Sequence, residues 1–448
     1  MHTQSVITRE VVVAQGPFAP GHLGELTQAV PFDMVDEALT ETRAVQSRVR
    51  DLPSRVVVYL LLAACLFPEL GYPGVWRKLT ASLDSLDPAM PTAGALCQAR
   101  RRLGPAPLRW LFDLVRGPAP APVRWRGLLV CAVDGTMLTV ADSPANLSVY
   151  TKHRCDNGGS GYPQIRLLAL VACGTRTVID AVFGPTDTGE TTYAPRLARS
   201  LHAGMIVLLD RGLVGRDLIS AFAATGAEVL VRYTDRRTFP VLTRYPDGSY
   251  LSTLGPTRVR VIDAEITITT STGRHTGVYR LVTTLLDHHR YPAGQLVTLY
   301  HQRWEIETAY LEIKSTILGG RVLRARTPNG IDQEVYALLV TYQVLRLAMA
   351  DATGSRPGID PDRASFTTAL NTARDLVIQA AGVIEDTVID LVGTIGRRVL
   401  ADLMPDRRIR TRPRVVKRAI SKYNAKGTID RTSYKATISI DILSAPGP

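Results

Sequence analysis

The spacing of apolar and polar positions changes character along the chain, and each change predicts a different architecture. From Asp33 to about Val115 the apolar residues recur at helical spacing. VVVYLLLAACLF (Val56–Phe67) predicts a buried helix, too short to cross a bilayer. VWRKLTASL predicts a second, and DPAMPTAGALCQARRRLG a third that starts near Thr92 and stops at Gly104. RGPAPAPVRW (Arg116–Trp125) then reads as a linker and a domain boundary. Beyond it, LLVCAVD (Leu128–Asp134) is the near-continuous apolar run of a strand buried on both faces. QIRLLALVAC and VIDAVFGP, joined by a short polar link, predict an antiparallel hairpin. The helix TTYAPRLARSLH, the strand MIVLLD (Met205–Asp210), the helix GRDLISAFAATG and the strand EVLVRY follow. This β-β-β-α-β-α-β order implies a mixed sheet with helices on its faces. Residues 234–287 are strand-like and turn-rich, a β-rich insertion. A long helix, DQEVYALLVTYQVLRLAMADA, and two further helices run to about Met404.

The stretch Leu299–Gly320, LYHQRWEIETAYLEIKSTILGG, carries two stripes when wound as one uniform helix. Leu299, Ile306, Ile313 and Ile317 fall within about 40° of one another, suited to a core. With Tyr300 at zero, Arg303, Glu307 and Lys314 lie at about 300°, 340° and 320°, a polar stripe beside the apolar one. An ordinary i,i+4 ion pair between Arg303 and Glu307 accounts for part of that stripe. The upstream strands supply a further reason for it.

Composition narrows the class. The 448 residues, 45% hydrophobic and 21% charged, describe a globular chain of two or three domains. A net charge of +12 points to a polyanionic partner, most simply nucleic acid. Five scattered cysteines without a CxxC pair read as reduced thiols and exclude a zinc ribbon or disulfide frame. The N-terminus lacks the basic and apolar regions of a signal peptide, so a cytoplasmic protein is expected. Arg100, Arg101 and Arg102 close the third predicted helix; they read either as DNA contacts of a small helical module or as a solvated helix end. From Arg397 onward the chain is strongly basic, an extended or partly disordered arm suited to phosphate.

Asp134 and Asp210 each close a predicted apolar strand, where an acid is costly unless it meets solvent or a cation. If those strands are parallel neighbours, both carboxylates emerge at one sheet edge, and Glu307 reaches them from the helix packed on the sheet. Three hard oxygen donors suit Mg²⁺ or Mn²⁺. Two such ions activate a water or a 3′-hydroxyl and stabilise the leaving oxygen. Arg303 and Lys314 would hold phosphates beside them, and Tyr300 would orient one. Asp142, Asp156, Asp180, Asp187 and Glu190 are rival acids, ranked as structural or supporting.

Tyr300-x2-Arg303-x3-Glu307-x6-Lys314 resembles the Y-R-E-K signature of bacterial DDE transposases of the insertion-sequence-four type, and VDGT at Asp134 and LLDRG at Asp210 resemble that family's aspartate motifs. The resemblance covers most of the chain. It implies an α/β fold: an RNase H-like mixed sheet with a β-rich insertion, preceded by a helical N-terminal domain and followed by C-terminal helices and a basic tail. The expected domains are an N-terminal segment over 1–30, helices over 31–116, the catalytic domain over 126–352 and the remainder over 353–448. The implied activity is cleavage of double-stranded DNA at transposon ends and transfer of the 3′-hydroxyl into target DNA. The implied cofactors are two Mg²⁺ ions on Asp134, Asp210 and Glu307, with Tyr300, Arg303 and Lys314 on end DNA. A homodimer synapsed on DNA in the nucleoid is also implied. A catalytically silent DNA-binding protein and a nuclease without strand transfer stand as alternatives.

Overall fold

A computed structural model describes residues 21–46, 52–86, 90–155, 158–234, 237–270, 273–383, 393–405 and 437–444. The chain divides into two compact units: Met1–Ser200 with Trp304–Met404, and Leu201–Arg303 with Pro405–Pro448.

The first unit begins with five helices: α1 (Phe32–Glu41), α2 (Ser54–Leu66), α3 (Tyr72–Leu79), α4 (Ala93–Leu103) and α5 (Ala106–Val115). Nearly every residue of α2 is buried, as its unbroken apolar run requires. Thr92 caps α4 by accepting from the Ala95 amide at 3.1 Å, and Gly104 ends it at φ +68°, a conformation natural only to glycine. Three antiparallel strands follow: β1 (Leu128–Thr139), β2 (Gln164–Ala172) and β3 (Val178–Pro185), in the order β3-β2-β1. The expected hairpin is β2–β3. The segment between β1 and β2, expected as a loop, carries a small hairpin of His153–Cys155 with Gly158–Ser160.

The second unit takes up the chain with β4 (Met205–Leu209), α6 (Arg216–Ala224), β5 (Glu228–Tyr233), β6 (Tyr250–Leu254), β7 (Thr257–Thr270), β8 (Gly273–Thr283) and α7 (Ala293–Tyr300). β4 and β5 are parallel, joined through α6; β8, β7 and β6 continue the sheet antiparallel in the order β4-β5-β8-β7-β6. The β-rich insertion is therefore an extension of a sheet, with a two-residue strand, Thr243–Arg244, at its edge.

The first unit resumes with α8 (Trp304–Leu311), α9 (Pro328–Gly354), α10 (Phe366–Gln379) and α11 (Gly393–Ala401). α9 is long and apolar enough to cross a bilayer, yet it is largely buried as the unit's central helix, packed on α2, α5 and α11. Gln343 of α9 accepts from the Val178 amide at 2.7 Å and donates to the carbonyls of Val115 and Gly117 at 3.1 and 3.0 Å. One α9 side chain thus ties the N-terminal helices to the sheet within the first unit.

The expected arm from Arg397 onward is corrected at both ends. Arg397 and Arg398 lie on α11, where Arg398 pairs with Asp375 at 3.2 Å. Thr437–Ile442 forms β9, antiparallel to β7 beside β6 on the same edge. Arg407, Arg408, Arg410, Arg412, Arg414, Lys417, Arg418 and Lys422 lie outside the described residues.

Candidate active site

Asp134 does not close its strand. β1 runs on to Thr139, and Asp134 sits mid-strand opposite Ala169 of β2. The apolar run stops at Val133 because the next four side chains are only half-buried, while the backbone ladder continues. Asp134 and Thr136 point to one face of β1. Gly135 points to the other, where an added Cβ would run into the Glu190 carboxylate. A side chain at this position would make the Glu190 carboxylate, the end of a flexible side chain, move aside.

The stretch bearing Glu307 and Lys314 is not one uniform helix. α7 ends at Tyr300, a 3-10 turn covers His301–Arg303, α8 covers Trp304–Leu311, and a π-helical turn covers Glu312–Ile317. The single wheel expected from sequence is broken at both joints; Tyr300 and Arg303 belong to the second unit, and Glu307 and Lys314 to the first. The apolar stripe survives: Leu299, Ile306, Ile313 and Ile317 are all at most 2% exposed. π turns inside helices occur frequently at functional sites.

Two side chains seat α8 and its π turn on β1. The Tyr310 hydroxyl donates to the Asp134 carbonyl and accepts from the Ala169 amide at 3.1 Å. The Lys314 ammonium donates to the Thr136 hydroxyl at 3.2 Å. Glu307 lies one turn before Tyr310, on the helix anchored at the first aspartate. Burial lowers the Lys314 pKa, since its near partner is a neutral hydroxyl.

In the second unit Asp210 follows β4 directly and caps the 3-10 turn Arg211–Leu213. Its Oδ1 accepts from the Gly212 amide at 2.7 Å, and a Cβ at Gly212 would stand 3.1 Å from that oxygen. The DRG glycine thus lets the backbone close on the carboxylate. Tyr300 donates to the Leu209 carbonyl at 3.0 Å, so its hydroxyl holds the strand end that presents Asp210. Burial raises the Tyr300 pKa to about 12, against the lowering influence of Arg303 and with that of Asp210. Arg232 of β5 also acts on Tyr300 electrostatically and lies 3.9 Å from the Tyr279 ring centre. The second unit therefore gathers Asp210, Tyr300, Arg303 and Arg232.

Asp134 and Glu307 in the first unit and Asp210 in the second are partly exposed carboxylates, each a hard oxygen donor of the kind a divalent cation takes, while Cys131 and Cys173 are buried in or beside strands. Among the described residues, neither unit by itself gathers three histidine, cysteine or carboxylate groups into a metal-ligating cluster. Asp180 is fully buried and bound by Arg116, Arg199 and Ser200 at 2.6–2.8 Å. Glu190 pairs with Arg166 and Asp142 with Lys152, at 2.8 and 2.5 Å. Asp187 accepts from Thr151 at 2.9 Å. Asp156 lies outside the described residues.

Arg100 is corrected. Its guanidinium lies 3.9 Å from the Tyr72 ring centre and 3.7 Å from Glu334, with its side chain 11% exposed. It faces inward because α4 packs on α2 and α3 through that side. Arg101 and Arg102 are exposed. Sequence reasoning missed Tyr310, Thr136 and Arg232. Thr136 stood in the DGT motif and could have been singled out, but Tyr310 and Arg232 carry no local signal, because their partners are remote in sequence.

Residues 20–113 match the family described as insertion element 4 transposase N-terminal, and residues 125–344 match the transposase DDE domain. The transposase InsG for insertion sequence element IS4 of Escherichia coli (strain K12) is 25% identical over 407 residues, spanning 87% of this chain and 91% of that protein. A solved piggyBac transposase synaptic complex with hairpin DNA covers 84% of this chain and 83% of its own, at a TM-score of 0.42 and 10% identity.

Proposed function

The chain belongs to the DDE transposases of the insertion-sequence-four type, and on that footing we propose that Asp134, Asp210 and Glu307 are its catalytic and metal-holding set. The protein is a DNA transposase with an RNase H-like catalytic domain, an enzyme of DNA cleavage and strand transfer that depends on divalent metal. The finer reading is that the three carboxylates hold two Mg²⁺ ions, for which Mn²⁺ substitutes. When bound, the ions supply activation of a water or 3′-hydroxyl and stabilisation of the leaving oxygen.

The chain's own residues do the rest. Lys314, held beside Asp134 by Thr136, offers a partly desolvated cation to a phosphate of the transposon end. Arg303 offers a second, from the turn after Tyr300. Tyr300 acts chiefly by fixing the end of β4, because its hydroxyl is committed to Leu209. Arg101 and Arg102 add non-specific phosphate contacts. DNA is the partner; the terminal inverted repeats, the target duplex and a synapsed homodimer in the nucleoid are the forms we propose for it.

The observation that carries this reading is the seating of the Glu307 helix on the Asp134 strand through Tyr310 and Lys314. A nicking assay on duplexes bearing the terminal repeats of the element tests it. Asp134→Asn, Asp210→Asn and Glu307→Gln should each abolish cleavage in Mg²⁺ and Mn²⁺ while binding the end DNA normally. Wild-type cleavage by any one of them removes that residue from the set. Nicking by the wild-type protein without joining to target would leave a nuclease.

A further inference from the structure

Behind the Glu307 helix lies a group of buried charges for which DNA contact gives no use. Arg176, in the turn between β2 and β3, holds the left-handed conformation at φ +57°, uncommon for a residue with a side chain. Its Nε donates to Glu305 at 2.6 Å, its Nη1 to Glu312 at 3.2 Å and its Nη2 to Asp362. Arg346 of α9 donates to the other oxygen of Glu312, which also accepts from the Tyr342 hydroxyl at 3.1 Å. That hydroxyl lies at the same distance, 3.1 Å, from the Arg176 carbonyl. The side chains of Arg176, Glu305, Glu312 and Arg346 are at most 8% exposed.

The placement of the two glutamates gives the cluster its meaning. Glu305, on α8, and Glu312, the first residue of the π turn that follows it, both meet Arg176. Within α8, Glu307 lies roughly 160° from Glu305, on the opposite face. The π turn also carries Lys314. Arg176 therefore grips the catalytic helix from behind at both ends, and Tyr310 and Lys314 seat its front on β1.

We propose that Arg176, with Arg346, is a positioning residue that sets the rotation of α8 and thereby places Glu307 for catalysis. The inference rests on the assignment of Glu307 made above. The planar fork of Arg176 is what lets one side chain hold two carboxylates at fixed spacing. Arg176→Lys keeps the charge and loses the fork. In that variant the single-turnover cleavage rate should fall about 100-fold, the scale expected for a misplacement of about 1 Å. End-DNA affinity should stay close to wild type, and the thermal melting midpoint should fall with the fold kept, since buried carboxylates lose part of their partner. Mn²⁺ binding to the protein, followed by electron paramagnetic resonance without DNA, should weaken in parallel. Glu305→Gln, which keeps the side-chain shape, should behave alike, and Glu307→Gln serves as the control. Wild-type cleavage and Mn²⁺ binding in Arg176→Lys overturn the inference while an inactive Glu307→Gln leaves the site assignment standing. An active Glu307→Gln overturns both. Loss of the fold in both Arg176→Lys and Glu305→Gln makes the cluster a folding element and overturns the positioning role.

Discussion

Lys314 is held against Thr136 at a cost to its charged form, because burial removes water that a hydroxyl only partly replaces. Its pKa is lowered, so the unfolded chain binds more protons than the folded one between the lowered value and that of a free lysine. The penalty is full below that window and is relieved as pH rises through it. In the proposed role of Lys314, an arriving phosphate would restore the charge. End-DNA binding at about pH 9, near the acid side of lysine titration, should therefore take up protons. Calorimetry in buffers of different ionisation heat reads this, and the uptake should shrink in Lys314→Met; an unchanged value separates Lys314 from the phosphates. Tyr310→Phe should cost about 1–3 kcal/mol in denaturant melting, since it leaves a strand amide and carbonyl short of a partner. A change below about 0.3 kcal/mol, the size of an ordinary surface substitution, would show that the bridge is dispensable. Neither partner of Tyr310 is near it in sequence, which is why its role was illegible there, whereas Asp134 and Asp210 stood at the ends of apolar runs and Glu307 on a polar stripe.

At the scale of elements, what the sequence showed was the side each segment buries. The stripe of Leu299, Ile306, Ile313 and Ile317 is buried as its spacing requires. A wheel at 100° per residue runs straight through a 3-10 turn and a π turn, so its angles do not carry across them. Nothing in the local spacing marks those joints, and the partners of Glu312, Arg176 and Arg346, are remote in sequence. Likewise Asp134 reads as a strand end because the apolar run stops there, but hydrogen bonding to β2 defines the strand. On α4 the three arginines separate by face. Arg101→Ala with Arg102→Ala should flatten the salt dependence of DNA affinity by about 0.9 in log–log slope for each phosphate left without its cation, with the melting midpoint unchanged. Arg100→Ala should instead lower stability by about 1–2 kcal/mol, since it uncovers Tyr72 and takes a cation from Glu334. Equal effects from both would contradict the division.

At the scale of the molecule, the +12 net charge announced a polyanionic partner. The order of elements announced a mixed sheet with a β-rich extension. The ties within the first unit were not legible, because side chains such as Gln343 bond backbone groups far away in sequence. Nor was β9, whose pairing on β7 joins residues far apart in sequence. Neutralising the arginines and lysines of residues 407–422 while keeping β9 should reduce the salt slope of end binding. An unchanged slope would show that this segment meets no phosphate.

The central claim is that Asp134, Asp210 and Glu307 act as one metal-holding set. Loading the protein with Fe²⁺ in place of Mg²⁺, then adding peroxide and ascorbate, cuts the backbone beside a bound ion, and the fragments map that site. Cuts beside all three residues, lost together in Asp134→Asn, Asp210→Asn or Glu307→Gln, are the predicted result. Cuts at one residue that persist when another is changed would contradict the account.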